Sequence, residues 1–128
     1  MARTILIVDD ETSILQSLEG IFSDEGLETI RAESGARALE KIEEVLPDLV
    51  LLDIWMPDMD GIETLEKIKK AYPNLQVVMM SGHGTIETAV KATKVGAYDF
   101  IEKPLSIEKL LLSVNNALDY YRQFFSIS

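Results

Sequence analysis

The chain contains no cysteine in 128 residues, which excludes a disulfide framework and a thiolate metal site. It has no basic excess: 12 Lys and Arg stand against 22 Asp and Glu, for a net charge of −10. Direct binding of nucleic acid needs a clustered basic face, so no nucleic-acid contact by this chain is expected. The acid excess suits cations or basic partners. No apolar run approaches the ~20 residues of a membrane span, so no membrane association is expected either. The opening MARTILIVDD meets acid too soon for a signal peptide. Asn and Gln are scarce, and there is no internal repeat, low-complexity tract or linker. These absences are compatible with a cytoplasmic location.

What is present is ordinary globular composition, 47% hydrophobic and 27% charged, at the length of one domain. Two hydrophobic periods alternate along it. Short β-rich runs lie at Thr4–Val8, Glu28–Ala32, Leu49–Asp53, Gln76–Ser81 and Asp99–Glu102. Between them fall helical patterns. Ile14, Leu15, Leu18, Ile21 and Phe22 mark the first, with Gly26 as its C-cap. Ala38, Leu39, Ile42, Val45 and Leu46 mark the second, entered through Ser34 and stopped by Pro47. Ile62, Leu65, Ile68 and Tyr72 mark the third, stopped by Pro73. A short fourth runs through Ile86, Ala89, Val90 and Thr93 to near Gly96, and a fifth starts near Ser106. Five strand–helix units in strict alternation predict a three-layer α/β fold, a doubly wound parallel sheet with helices on both faces. ILIV, LVLL and VVMM read as strands buried on both faces, and strand two, with Glu28 and Arg31, reads as an edge. The order 2-1-3-4-5, flavodoxin-like, satisfies these constraints.

The stretch LVLLD poses the functional question, because a buried strand ends in a carboxylate that is costly to bury alone. Ligands of open α/β sheets bind beyond the carboxyl ends of the strands, where strand order reverses. That point lies between strands one and three. It gathers Asp9, Asp10 and Asp53, with Ser81 ending strand four and Lys103 following strand five. Mutually repelling carboxylates need a cation, and oxygen ligands without cysteine favour a hard divalent ion, Mg²⁺ before Ca²⁺. A carboxylate beside such an ion can attack a phosphoryl group. The ion, Lys103 and the Ser81 hydroxyl are placed to neutralise and position it.

This set, DD near the start, D ending strand three, S before a Gly loop and KP after strand five, resembles the receiver domain of response regulators over essentially the whole chain. The resemblance implies that Asp53 is the phosphoacceptor. It implies that Asp10 and Asp53 ligate Mg²⁺ directly, that Asp9 acts mainly through water, and that the Trp55 carbonyl completes the protein ligands. Ser81 would bond the phosphoryl oxygen, Lys103 would pair with it, and Phe100 would be the switch aromatic. Ser81 stands where Thr is more frequent, and Phe100 offers no phenolic hydroxyl. The segments DIWMPDMDGIETL and MMSGHGTIETAVKATKVGAYDFIEKP are similar to receivers of the NtrC group, enhancer-binding activators of the sigma-54 polymerase. Such receivers normally precede an ATPase domain and a DNA-binding domain. The implied partners are a sensor histidine kinase and a second copy of the chain. The receiver is expected at residues 1–119, with 120–128 extending helix five towards a further domain.

Several features also have plainer readings. Asp9 or Asp10 is expected to cap helix one near Glu11. Asp58-Met59-Asp60-Gly61 resembles part of an EF-hand loop, but no Glu follows at the twelfth position, so a loop entering helix three is the better reading. Gly82 and Gly84 around His83 suggest loop mobility rather than a phosphate cradle. Lys103–Pro104 is a candidate cis bond. In helix five, Ile107, Leu111, Val114, Leu118, Tyr121 and Phe125 form a heptad seam, part of which must pack on the sheet. Leu118, Tyr121, Phe124 and Phe125, with Tyr120, are expected at a dimer interface. Two alternative functions remain open: a stand-alone receiver, and a small Mg²⁺-dependent phosphohydrolase with an aspartyl nucleophile. The second usually needs an acid two residues after the nucleophile, where this chain has Trp55.

Overall fold

A computed structural model of the chain describes residues 2–55, 60–82 and 86–125, with side chains through Tyr120. Asp58, Met59, His83 and Gly84 therefore lie outside the described residues. The five strands are β1 (Thr4–Val8), β2 (Glu28–Ala32), β3 (Leu49–Asp53), β4 (Gln76–Ser81) and β5 (Asp99–Glu102). The helices are α1 (Thr12–Asp24), α2 (Gly35–Val45), α3 (Gly61–Ala71), α4 (Ile86–Val95) and α5 (Ile107–Phe125). All strand pairs are parallel, in the order β2-β1-β3-β4-β5. This is the doubly wound, flavodoxin-like order expected from the alternation of periods.

The pleat sorts the core into two layers. Ile5, Ile7, Leu49, Leu51, Val78 and Met80 point to one face, where α1 and α5 cover them with Leu15, Phe22, Leu110 and Val114. Leu6, Val8, Val50, Leu52, Val77 and Met79 point to the other, covered by α2, α3 and α4. Alternate residues of each central strand thus serve opposite cores, which is why those strands are apolar throughout.

Local chemistry sets the helix ends. The Ser34 hydroxyl accepts from the Arg37 N–H at 3.1 Å, and the Asp60 carboxylate accepts from the Glu63 N–H at 2.8 Å. α1 closes in a Schellman turn, in which the Leu27 N–H reaches the Phe22 carbonyl and Gly26 takes φ +78°. At the other end of α1 the expected aspartate cap is absent. Glu11 is the N-cap residue and makes no side-chain cap bond. Asp9 instead accepts from the Glu11 N–H at 2.9 Å, one step before the helix.

The end of α5 corrects a second expectation. Leu118 is only 8% exposed and packs with Val114 and Ala117 in the core beneath α5. A residue that buried is not available to a partner. Tyr120 is partly exposed, and its ring meets Tyr98 edge-on at 5.7 Å. The α5 backbone continues through Tyr121, Phe124 and Phe125, whose side chains lie outside the described residues.

Candidate functional site

The carboxyl ends of β1 and β3 are adjacent, so the residues that follow them share a rim. Pleat parity then divides the site. Asp9 continues the series Ile5, Ile7 and Asp53 the series Leu49, Leu51, while Lys103 follows Ile101, all of the α1–α5 face. Ser81 follows Val77 and Met79, and Phe100 precedes Ile101, so both belong to the α2–α4 face. Asp9, Asp53 and Lys103 therefore approach the rim from the side of the sheet opposite to Ser81 and Phe100.

Asp9 is fully buried and both of its oxygens are engaged, one by the Glu11 N–H and the other by Lys103 Nζ at 2.7 Å. The same ammonium stands 3.4 Å from an Asp53 oxygen. Asp10 is exposed. One oxygen from each of Asp9, Asp10 and Asp53 lies within 4.8 Å of the others. Asp53 also accepts from the Trp55 N–H and pairs with Lys103, so Asp10 is the exposed carboxylate of the three. A donor set of carboxylates alone suits a hard divalent cation better than a softer one.

Burial sets the electrostatics. Asp53 is 4% exposed, and loss of water raises its pKa to about 6. The charge of Asp9 adds to the rise, while Lys103 and the Trp55 backbone N–H oppose it. For Lys103, burial works to lower the pKa, but its bond to Asp9 and the charges of Asp53 and Asp9 outweigh that and raise it. The rim thus holds one ammonium that stays charged and one carboxylate that keeps its proton up to about pH 6.

Ser81 is fully buried at the end of β4, and its backbone carbonyl accepts from the Lys103 N–H at 2.8 Å. Phe100 is half-buried against the α2–α4 core. Trp55 is 53% exposed and borders a small cleft of about 260 Å³ with Asp60, Ile62 and Lys91. The Lys103–Pro104 peptide is cis. Sequence reasoning missed two contacts here. The Asp9–Lys103 pair joins residues 94 apart, and Gly61 presses on the peptide that follows Asp53.

The sequence profile of the response regulator receiver domain matches residues 5–115. The chain belongs to the response regulator receiver domain family. Among its relatives, the nitrogen assimilation regulatory protein NtrX of Azorhizobium caulinodans is 48% identical over 124 residues, which is 95% of this chain and 27% of that protein. This receiver therefore spans about a quarter of the length of that relative. The receiver domain of NtrX from Brucella abortus superposes with a TM-score of 0.85 at 51% identity, over 90% of this chain and 98% of that one. The beryllofluoride-activated NtrC4 receiver domain dimer gives a TM-score of 0.88 at 43% identity, over 92% and 98%. Both identities are far above the level at which only the fold is shared.

Receiver domains are signalling domains rather than classical enzymes, and what this one can do chemically is bounded by its rim. Among the described residues, no helix is long and apolar enough to cross a membrane.

Proposed function

We propose that this receiver accepts a phosphoryl group on Asp53 from a phosphohistidine of a sensor histidine kinase, and that the modified domain controls dimerisation and a transcription-activator output. The observation that carries the reading is the Asp53 carboxylate at the switch point of the sheet, 3.4 Å from the Lys103 ammonium and within 4.8 Å of Asp9 and Asp10 oxygens. In the transfer, an Asp53 oxygen forms the O–P bond while the P–N bond breaks, and its electron pair stays on the departing imidazole. Mg²⁺, held by Asp10, Asp53 and the Trp55 carbonyl with Asp9 acting through water, would supply charge neutralisation of the transferred group. Lys103 is within reach to leave Asp9 for the new dianion. The Ser81 hydroxyl would bond a phosphoryl oxygen, and Phe100, on the same face of the sheet, would follow it. The domain catalyses only its own phosphorylation and dephosphorylation.

The similarity to NtrX and to the NtrC4 receiver dimer supports the dimer and the sigma-54-type output. In this reading the receiver occupies residues 1–119, residues 120–128 extend α5, and ATPase and DNA-binding domains belong to the longer protein, which acts in the cytoplasm. Apolar side chains on α4 and α5 are consistent with a docking face, since Ile86 is 85% exposed and Val90, Ile107 and Leu112 are also exposed. A Mg²⁺-dependent small phosphodonor should label the wild type at Asp53, and Asp53→Asn should take no stable acid-labile label. Labelling of that variant at the wild-type level would overturn the assignment.

A further inference from the structure

Gly61 is the first residue of α3, and its position has an unusual neighbour. A methyl group built on its Cα would stand 2.5 Å from the Ile54 Cα, 3.1 Å from the Asp53 carbonyl carbon and closer still to the Asp53 carbonyl oxygen. These are backbone atoms, which cannot swing aside as a side-chain tip can. The Gly61 N–H also donates to the Ile54 carbonyl at 2.6 Å. The preceding peptide, which joins Asp53 to Ile54, is pinned to β4, where the Ile54 N–H donates to the Met80 carbonyl at 3.0 Å. The peptide joining Asp53 to Ile54 is therefore held between its hydrogen bond to β4 and the close packing of Gly61 in the first turn of α3, which also bonds the peptide after it. Ile62 and Ile54, in one apolar cluster, draw that turn inward, and Asp60 caps it.

Gly61 has no left-handed φ to justify a glycine; space alone requires it. The clamped peptide carries Asp53 itself and leads into Trp55. We infer that Gly61 is a positioning residue: the absence of its side chain lets the first turn of α3 fix the Asp53 carboxylate and the Trp55 backbone at the geometry that metal binding and phosphoryl transfer need. Gly61 touches neither the cation nor the phosphoryl group. The inference rests on the phosphoacceptor reading given above.

An added methyl must move the Asp53–Ile54 peptide or lift the helix, each by a sizeable fraction of an ångström. Misplacement of a reacting group by about 1 Å can cost on the order of 10²-fold in rate. Gly61→Ala should therefore weaken Mg²⁺ binding and slow labelling by a small phosphodonor at least ~10-fold. The test is calorimetric titration with Mg²⁺, alongside labelling rates and melting curves, on wild type, Gly61→Ala and two controls. Gly20→Ala has open space around the new methyl, and Ile68→Ala removes buried atoms at the far end of α3. Neither control should change Mg²⁺ affinity at temperatures where it is folded, although Ile68→Ala lowers the melting temperature.

A second comparison holds even if Gly61→Ala does not fold. Ile62→Ala loosens the same first turn without adding atoms, and should lower Mg²⁺ affinity several-fold more than Ile68→Ala. Wild-type Mg²⁺ affinity and labelling in folded Gly61→Ala would overturn the inference alone, as would equal affinities for the two isoleucine variants. A wild type that takes neither Mg²⁺ nor label would overturn the phosphoacceptor reading itself.

Discussion

Asp53 titrates near pH 6 because burial strips water from a carboxylate that also faces Asp9. Its folded value lies above the ordinary 3.8, so the folded chain holds this proton more tightly than the unfolded one. The stability contributed by this group is fully present below pH 3.8 and is lost as pH rises through about 6. Asp53→Asn should therefore raise the melting temperature of the metal-free domain above pH 6, and the gain should fade towards pH 4. Thermal melts in chelator from about pH 4 to about pH 8 check this; a variant less stable than wild type at neutral pH would contradict it. Trp55 makes a separate prediction. It stands two residues beyond Asp53, the proposed phosphoacceptor, with an exposed ring and no carboxylate or amide to orient a water. On the proposed function, slow self-hydrolysis and a long-lived signal are expected. Trp55→Asn should shorten the phosphoryl lifetime severalfold while leaving Mg²⁺ affinity unchanged, as read by label decay and by titration.

At the scale of the element, the strands were the most legible part of the chain. LVLL, ILIV and VVMM are apolar at every position because each strand feeds two cores, and turn residues bound them closely. Helix starts with a side-chain oxygen, such as Ser34, were also readable. The face of α5 was not. A heptad seam and a helix packing on a sheet share nearly the same period, so Leu118 read as an interface residue although it is buried. Leu118→Ala should accordingly cost about 3 kcal/mol of domain stability. Denaturant unfolding will show it, and a loss confined to dimer affinity would return Leu118 to the interface. The capping expectation at Asp9 failed for a related reason. Its carboxylate is claimed by Lys103, a partner 94 residues away that no local pattern reveals. Gly61 was read as part of a turn, because its contact with the Asp53–Ile54 peptide is tertiary.

For the whole molecule, the doubly wound order explains why five residues scattered from Asp9 to Lys103 converge, and why sequence alone could gather them at one rim. The same sheet carries the site on one end and the exposed apolar residues of α4 and α5 on its flank. If modification of the first favours pairing through the second, pairing must equally favour modification, because the coupling is reciprocal. Sedimentation with beryllofluoride and Mg²⁺ should shift the chain from monomer to dimer. A chain that stays monomeric at high concentration with the mimic bound would refute the dimer switch and leave the rim chemistry untouched. That chemistry is the central claim, and trapping the acyl phosphate tests it most directly. After treatment with a small phosphodonor and Mg²⁺, borohydride reduction followed by peptide mass spectrometry should convert Asp53, and no other aspartate, to homoserine. Conversion at Asp9 or Asp10, or none at all, would contradict the account.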